Sequence, residues 1–381
     1  MRIGVIGYGA RIEMVVEQLL NLHMGVELTA ITDINIDKVR RQLADKGRNF
    51  AGIPIYADAD EMLDKEKLDG VMIGTRCSLH TFMAKKVFRR NLPLFLEKPV
   101  ATTMEDLQSL KAAGAASSSE VVVSFPLRNT PLVKLVKEII DSGKLGRIEH
   151  VQAVNNVPYG SIYFHDWYRN EKETGGMFLQ KATHDFDYIN YLIGLKPVSV
   201  CAVKSKQIFK GDKPNGLYCK DCEEYHTCPE SPFVLKNFKS EQSHGEMCSF
   251  AEDTGNEDSG SAIVIYESGM HVAYSQNFFV RKGAAKRGAR LIGYEGTVEF
   301  DWGTDEVHVY MHSTPRVETY KVDSSQLSHS GGDIALAINF LKVMQGKERS
   351  NTPLDAGLLS ALICLKAKES AETHTFKDIA W

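Results

Sequence analysis

The first twenty residues place the strongest constraint on the fold. Arg2 to Ile6 is a short apolar run, Gly7-Tyr8-Gly9 follows at once, and an amphipathic segment continues from Ile12. This order predicts a strand, a glycine turn and a helix, the arrangement in which a helix N-terminus meets a pyrophosphate. Because Ile12 stands where the dinucleotide fingerprint has its third glycine, the motif is incomplete. The predicted cofactor contacts in this turn are Gly7, Tyr8, Gly9, Ala10 and Arg11.

The second predicted strand ends at an acidic residue. Val26 to Thr32 is mostly apolar, and Asp33 follows it. In dinucleotide-binding folds an acidic side chain at this point binds the ribose hydroxyls, and it would repel the 2′-phosphate of NADP. The sequence therefore favours NAD as the cofactor. The alternative is that Asp33 only caps a helix that starts near Asp37.

Strands and helices alternate through the first third of the chain. Gly70 to Thr75 and Leu94 to Leu96 are predicted strands on either side of a helix from about His80 to Arg90. Such alternation predicts a parallel sheet with helices on both faces, and ligands bind such sheets at the carboxyl ends of the strands. Thr75 to Cys77 and Glu97-Lys98-Pro99 fall at those ends.

The pattern changes after a last predicted strand at Val121 to Val123. We place a dinucleotide-binding Rossmann domain at residues 1–123 and an α+β domain at 124–381, with an insertion near 210–258. The second domain should hold a large, mostly antiparallel sheet and two late helices, Asp333 to Met344 and Leu354 to Glu372. Its main predicted strands are Ile148–Ala153, Val198–Lys204, Ser261–Tyr266, His271–Phe279, Ala289–Ile292, Thr297–Asp301, Val307–His312 and Val317–Val322.

A single helix is predicted between the glycine pair Gly175-Gly176 and Gly194. Apolar residues recur along it at helical spacing, and a second stripe is polar. A histidine with a carboxylate one turn away could supply acid–base chemistry. The alternative is a polar face that is exposed to solvent. The stripe consists of Gln180, His184, Asp187 and Tyr191, with Lys181 beside it.

An aromatic and polar segment, Tyr163 to Asn170, precedes this helix. Sugars are bound by such mixtures, because aromatic rings cover their apolar faces and polar groups bind their hydroxyls. His165, Trp167 and Arg169 are therefore candidates for substrate binding, and we add Arg128, which follows the first domain. The alternative is a surface loop whose Trp167 belongs to the core.

The insertion contains Cys219-Lys220-Asp221-Cys222 and then Cys228. A Cys-x-x-Cys pair can chelate zinc when two further thiol or imidazole ligands complete the tetrahedron. Cys248 is the further ligand that we expect, with His226 and His244 also available, and the metal would be structural. The alternative is a set of reduced thiols in a polar loop. Seven cysteines, an odd number, argue against a disulfide framework.

Composition excludes several classes of partner. The net charge of -4 and the pI near 6.3 show no basic excess, so nucleic acids and anionic membranes are not expected partners. No apolar run reaches the roughly 20 residues of a membrane helix, and the opening residues have neither the hydrophobic core nor the small-residue cleavage site that a signal peptide needs, so none is expected. A cytoplasmic enzyme is the expectation.

The order of these motifs resembles the Gfo/Idh/MocA family of nicotinamide-dependent oxidoreductases, many of which act on sugars and inositols. The resemblance is carried by the glycine turn, Thr75-Arg76-Cys77-Ser78-Leu79-His80, Glu97-Lys98-Pro99 and the His184 helix. It implies that Lys98 lies in the active site, often with a cis bond before Pro99. It also implies that Thr75 and His80 run beside the cofactor, with Arg76 in place of the family's proline, and that one sheet face makes oligomer contacts.

The helix departs from the commonest family form, Asp-x-Gly-x-His, because Gln180 and Ala182 precede His184 at those places. An amide cannot exchange a proton at neutral pH. The segment from Lys181 to Asp187 is similar to a branch of the family whose helix reads Lys-x-x-His-Asp-x-Asp. The cofactor contacts predicted at the later strand ends are Thr75, Arg76, His80, Glu97 and Lys98.

The leading functional hypothesis is an NAD-dependent oxidoreductase, a homodimer or homotetramer, that acts on a secondary alcohol of a sugar or polyol. Hydride goes to the nicotinamide while His184 takes the hydroxyl proton and Lys98 stabilises charge on the oxygen. Gln180, Lys181 and Asp187 would position the substrate. One alternative is a redox-neutral glycosidase or lyase that oxidises the sugar transiently, and another is a non-catalytic NAD-sensing protein.

Overall fold

The computed structural model describes residues 1–45, 50, 52–239, 245–323 and 328–381. The strands are β1 Arg2–Ile6, β2 Glu27–Thr32, β3 Ile55–Tyr56, β4 Gly70–Ile73, β5 Leu94–Leu96, β6 Val121–Val123, β7 Ile148–Asn156, β8 Pro197–Ser205, β9 Ser259–Tyr266, β10 His271–Asn277, β11 Lys286–Gly293, β12 Gly296–Asp301, β13 Glu306–Met311, β14 Val317–Lys321 and β15 Lys377–Asp378.

The α-helices are α1 Ala10–Asn21, α2 Ile36–Asp45, α3 Ala59–Lys65, α4 His80–Phe88, α5 Met104–Ala115, α6 Pro131–Asp141, α7 Ile162–His165, α8 Glu171–Thr174, α9 Thr183–Ile193, α10 Pro232–Phe238, α11 Gly332–Met344 and α12 Leu354–Thr373. A π-helical segment, Phe178–Ala182, leads directly into α9.

The chain divides into two compact units. The first consists of Met1–Lys134, Ser324–Leu362 and Trp381, and the second of Leu135–Asp323 and Ile363–Ala380. Late residues of the chain therefore belong to the first unit. The domain boundary near residue 123 stays a prediction.

The first unit holds a six-stranded sheet in the order β3-β2-β1-β4-β5-β6, and its neighbouring strands pair in parallel. The central strands are apolar throughout because helices cover both faces. Helix α11 joins this core, where Phe340 meets Phe95 edge to face with ring centroids 5.7 Å apart. The Rossmann arrangement predicted from the alternation of strands and helices is confirmed.

The second unit holds a nine-stranded sheet in the order β14-β13-β12-β11-β7-β10-β9-β8-β15. Its neighbours pair antiparallel, except that β10 runs parallel to β7. On one face Phe186 and Tyr188 of α9 pack against Tyr274 and Phe300. The predicted α+β class, with a mostly antiparallel sheet, is confirmed.

The other face of this sheet carries exposed apolar side chains. Val203 and Ile263 are 59% and 45% exposed. They border a groove of about 690 Å³ that crosses strands β7 to β12.

Candidate active site

The glycine turn after β1 has the geometry that a dinucleotide site needs. Gly7 has a φ of 80°, and a Cβ there would lie 2.7 Å from the Thr75 nitrogen. Gly9 is the N-cap residue of α1 and, as a glycine, has no side chain that could cap that helix end. The N–H groups of its first turn are therefore available to an anion.

The third glycine of the fingerprint is replaced by a glycine on the neighbouring strand end. Ile12 is fully buried, and a Cβ on Gly74 would lie only 2.4 Å from the Ile12 Cβ. Close packing of α1 on the sheet is thus achieved by Gly74 after β4. Sequence reasoning did not identify Gly74, although its position directly after a strand was a usable signal.

Asp33 is held at the end of β2 by backbone donors. Its two carboxylate oxygens accept hydrogen bonds from the N–H groups of Tyr8, at 2.8 Å, and Asn35, at 2.7 Å. The first bond joins the ends of β1 and β2, and the second shapes the turn before α2. The side chain is only half-buried, and ribose binding by Asp33 stays a prediction.

The Glu97-Lys98-Pro99 turn contains a cis peptide bond between Lys98 and Pro99, as the family resemblance implied. His80 links this turn to the one after β4, because its Nδ1 lies 2.7 Å from the Pro99 carbonyl and its Nε2 lies 3.2 Å from the Thr75 carbonyl. Burial of the ring lowers the pKa of His80. A neutral imidazole donates only one hydrogen bond. In the neutral ring, therefore, one of the two carbonyls accepts a hydrogen bond from His80 and the other is in contact with the unprotonated ring nitrogen.

Arg76, which stands where the family resemblance expects a proline, has backbone angles that suit a proline. Its φ of −60° and ψ of 147° are angles that proline adopts readily. Its side chain is exposed. The loop that continues into Cys77–Leu79 therefore keeps a proline-like shape without the proline.

Arg11 was predicted to contact the cofactor, but its guanidinium contacts protein carboxylates. Nε donates to Glu97 at 3.1 Å, and both terminal nitrogens donate to the buried Asp333 of α11, at 3.0 and 2.6 Å. Ser124 contacts both Arg11 and Glu97. Burial opposes the charge of Arg11, but Glu97 and Asp333 outweigh it and raise its pKa. The contacts place Arg11 in a network within the first unit.

Arg128, predicted to bind substrate, also lies in the first unit. Its guanidinium donates to the Asn351 carbonyl at 3.2 Å. This contact says nothing about a ligand, and substrate binding by Arg128 stays a prediction.

The helix that bears His184 begins with a π-helical turn, so the expectation of one regular helix is corrected. Gly175 and Gly176 have φ of 78° and 97° ahead of it, and Gly194 ends α9 with a φ of 70°. Two backbone N–H groups at the start, those of Met177 and Phe178, donate to the buried Glu257 at 2.9 and 3.0 Å. The π turn shifts residues 178–182 out of the regular α register.

The polar stripe does not face solvent. Gln180, Lys181 and Asp187 are all buried, and His184 is half-buried. The alternative of a solvated face is therefore wrong. Whether these side chains bind substrate stays a prediction.

Asp185, a residue of α9 to which the sequence reasoning gave no role, is fully buried. Its carboxylate accepts hydrogen bonds at 2.8 Å from Asn155, Tyr274 and Arg287. Burial opposes the charge of Arg287, but Asp185 and neighbouring tyrosines raise its pKa. The spacing of the helix offered no signal for this pair, because β11 contributes Arg287 from far along the chain.

Lys181 contacts a tyrosine that the sequence did not single out. Its Nζ donates to the Tyr159 hydroxyl at 2.8 Å and lies 4.6 and 5.1 Å from the ring centroids of Tyr159 and Tyr163. Tyr159 is 45% exposed. The lysine is thus buried behind a phenol that solvent can reach.

The segment before the helix packs against the cysteine-bearing insertion. The Nδ1 of His165 lies 2.7 Å from the Met247 carbonyl, and Arg169 donates to Asp253 at 2.6 Å. Burial lowers the pKa of Arg169. Trp167 is half-buried and stacks on Tyr168, with ring centroids 3.9 Å apart. These contacts give His165 and Arg169 partners within the protein, and their role in sugar binding, like that of Trp167, stays a prediction.

The zinc expectation finds no support either. Within the described residues, no group of three or more His, Cys, Asp or Glu side chains is arranged to hold a metal ion. His244 lies outside those residues. Cys219, Cys222, Cys228 and Cys248 are free thiols, and burial raises the pKa of Cys219 to about 12, with Cys248 nearby adding to the effect. Formation of a thiolate is therefore disfavoured there.

Among the helices in the described ranges, none is both long and apolar enough to cross a bilayer.

Comparison with known proteins finds a matching family model for each of two parts of the chain. Residues 1–125 match the model of an oxidoreductase family with an NAD-binding Rossmann fold, and residues 133–299 match the Gfo/Idh/MocA C-terminal domain. YteT of Bacillus subtilis, named as an oxidoreductase, is 27% identical over 327 residues, which are 74% of this chain and 75% of YteT.

A myo-inositol 2-dehydrogenase of Thermotoga maritima is 26% identical over 194 residues, which cover 51% of this chain and only 55% of the relative. Among solved structures, an oxidoreductase domain protein from Kribbella flavida has a TM-score of 0.80 at 15% identity, and covers 100% of this chain and 99% of its own. Levoglucosan dehydrogenase in complex with NADH and levoglucosan has a TM-score of 0.79 at 19% identity, with 100% of both chains covered. At such identities the structures support the fold alone. With a matching model for each of its two parts, the chain belongs to the Gfo/Idh/MocA family of oxidoreductases.

Proposed function

We propose that the protein is an NAD-dependent oxidoreductase that takes hydride from a secondary alcohol of a sugar or polyol. One observation carries the proposal: the carboxyl ends of four adjacent parallel strands, β2, β1, β4 and β5, bring Asp33, Gly7, Thr75 and Lys98 to one edge of the sheet. Nicotinamide dinucleotides bind at such edges. The inositol and levoglucosan dehydrogenases among the related proteins support the substrate class.

The residues at this edge fit a dinucleotide. The space beside Gly9 is open, since a Cβ there would meet only the Gly74 carbonyl, at 3.8 Å. The uncapped first turn of α1 would receive the pyrophosphate, and the half-buried Asp33 would receive the adenosine ribose. No basic side chain follows Asp33, because Ile34 and Asn35 come next. NAD rather than NADP is therefore the proposed cofactor, and it would supply the hydride acceptor.

The chain's own residues manage the proton and the charge in this proposal. Lys98 donates a hydrogen bond to the reacting oxygen and stabilises its developing negative charge. His184 accepts the hydroxyl proton. Gln180, Lys181 and Asp187 position the other hydroxyls.

An NADH absorbance assay with a panel of polyols and sugars tests the function. NADH formed in proportion to oxidised sugar is the expected result. Aryl glycosides are the second arm: release of the aglycone without NADH would replace this proposal by the redox-neutral one. That alternative needs more acid–base groups, but Tyr188, one of those available in the sequence, is fully buried, and burial raises its pKa well above the ordinary value.

We further propose a homodimer or homotetramer built on the open face of the nine-stranded sheet. The exposed Val203 and Ile263 and the groove beside them support this assembly. A cytoplasmic location is proposed on the seven free thiols, since reducing compartments keep cysteines unpaired.

A further inference from the structure

Two histidines contact each other on the open face of the nine-stranded sheet. His150 of β7 and His271 of β10 are partners in the register of these parallel strands, and their rings meet edge to face with centroids 4.5 Å apart. Further along the same strands, Asn155 and Tyr274 bind Asp185 of α9 on the covered face. Each of these lies an odd number of positions from its histidine. Because side chains alternate along a strand, both histidines belong to the open face.

The two histidines stand in the middle of a row that reads the same in both directions. His271 pairs with Ile265 of β9 on one side, and His150 pairs with Ile292 of β11 on the other. All four side chains of this histidine row are half-buried. A two-fold axis in the plane of the face, parallel or perpendicular to the strands, would set isoleucine on isoleucine and imidazole on imidazole. An isologous contact between two copies needs such a self-complementary patch.

Neither histidine of the row has a compensating charge. Among the described residues no carboxylate forms an ion pair with His150 or His271, whereas His308, which the strand register places on the same face, lies 3.3 Å from Glu306. The Nε2 of His150 is buried and has no hydrogen-bond partner in the described ranges. Burial, and then the neighbouring His271, lower the pKa of His150. A proton on this pair is therefore unfavourable.

The charged and titratable side chains on neighbouring strands of this face do not reverse that cost. At the alternate positions beside the row they are Arg290 and Tyr294, on either side of Ile292, and Glu267, which follows β9. Arg290 adds a like charge. Glu267 accepts a hydrogen bond from the backbone N–H of Lys196 at 3.3 Å and forms no ion pair with either ring among the described contacts.

We propose that a second copy of the chain docks on the histidine row and that protonation of the histidine pair releases it. The inference deepens the homo-oligomer proposed above and rests on it. Neutral imidazoles each offer one donor and one acceptor, so the rings of two copies can bind each other, whereas protonated rings offer donors alone and repel. Burial between two copies makes a charge there still more costly. Association is therefore expected above the ordinary pKa of histidine, about 6.5, and is lost as the pH falls below it.

Sedimentation equilibrium at constant ionic strength tests the inference. The dissociation constant of the wild-type oligomer should rise at least about 10-fold between about pH 7.5 and about pH 5.5, because the separated copies bind more protons than the assembly. His150→Gln/His271→Gln keeps polar side chains that do not titrate, and it should associate equally at both pH values. His271→Lys carries a permanent charge, and at the higher pH it should associate as weakly as the wild type does at the lower one.

His308→Gln is the matched control, because His308 lies on the same face but already has Glu306 beside it; this variant should keep the pH dependence of the wild type. Circular dichroism at both pH values checks that each protein is folded. An oligomer with the same dissociation constant at both pH values would overturn the inference and leave the assembly standing, whereas a monomer at both would overturn the two together. Persistence of the pH dependence in the double glutamine variant would also overturn the inference.

Discussion

Single residues carry the proposed chemistry, and two of them can be tested separately. Lys98 lies in a cis turn at the end of β5, and His184 lies half-buried on α9. Lys98→Ala and His184→Ala should each lower kcat by about two to four orders of magnitude, because charge stabilisation or proton transfer is lost. NADH affinity, measured by fluorescence titration, should survive in both.

Gln180→Ala provides the comparison, because an amide can only position the substrate, and its effect on kcat should be smaller. Near-normal turnover of either main variant would remove that residue from the mechanism.

The choice between NAD and NADP also depends on a single residue, Asp33, in this proposal. Wild-type protein should bind NAD more tightly than NADP, since Asp33 presents a carboxylate where NADP has its 2′-phosphate. Asp33→Ser should weaken NAD binding about 10- to 100-fold, the scale of lost hydrogen bonds to a charged group, while affecting NADP less. Titration of both cofactors into both proteins measures this. Tighter binding of NADP by the wild type would contradict the assignment.

At the residue scale, the sequence predicts where a side chain lies in the fold better than it predicts which residues that side chain contacts. The family resemblance implied that Lys98 lies in the active site and His80 beside the cofactor, and both stay predictions. The ion pairs of Arg11 with Asp333 and of Arg169 with Asp253 could not be anticipated, since each joins residues far apart in the chain. An arginine in a ligand-binding motif and one in a structural network look the same in sequence.

At the scale of elements, α1 packs closely on the sheet because Gly74, and not the third position of the fingerprint at Ile12, is the glycine. Gly74→Ala should destabilise the protein by about 1–3 kcal/mol, the usual cost of overpacking, because the new Cβ meets Ile12. Urea denaturation measures the change. The double variant Ile12→Gly/Gly74→Ala should lose less than the sum of the two single variants. Additive losses would show that the two positions do not interact.

The elements themselves were largely predictable because their periodicities are strong. Parallel strands β1, β4 and β5 are continuous apolar runs, and β7 to β13 alternate. The π-helical start of the His184 helix was not predictable, since the apolar spacing fits a regular helix equally well. The first N–H groups of this segment donate to Glu257, which lies in the loop before β9, about 80 residues later in the chain.

At the scale of the whole molecule, the open sheet face predicts self-association. Light scattering should show a dimer or tetramer, and Ile263→Glu should shift it toward monomer, because a charge placed in an apolar interface must be desolvated. Glu61→Gln, a change at an exposed residue of the first unit, is the control. A monomeric wild type would refute the proposed interface.

The contribution of α11 to the first unit affects how the protein is made. Phe340 and Leu341 belong to the core cluster that includes residues of β1 and β5, and Asp333 accepts a hydrogen bond from Arg11 in the first turn of α1. A ribosome delivers these residues about 200 positions after β6. During synthesis, the core of the nucleotide-binding unit therefore lacks its α11 residues until most of the second unit has been made. A fragment of residues 1–134 should consequently be protease-sensitive, whereas the same fragment joined by a flexible linker to residues 328–362 should be protected.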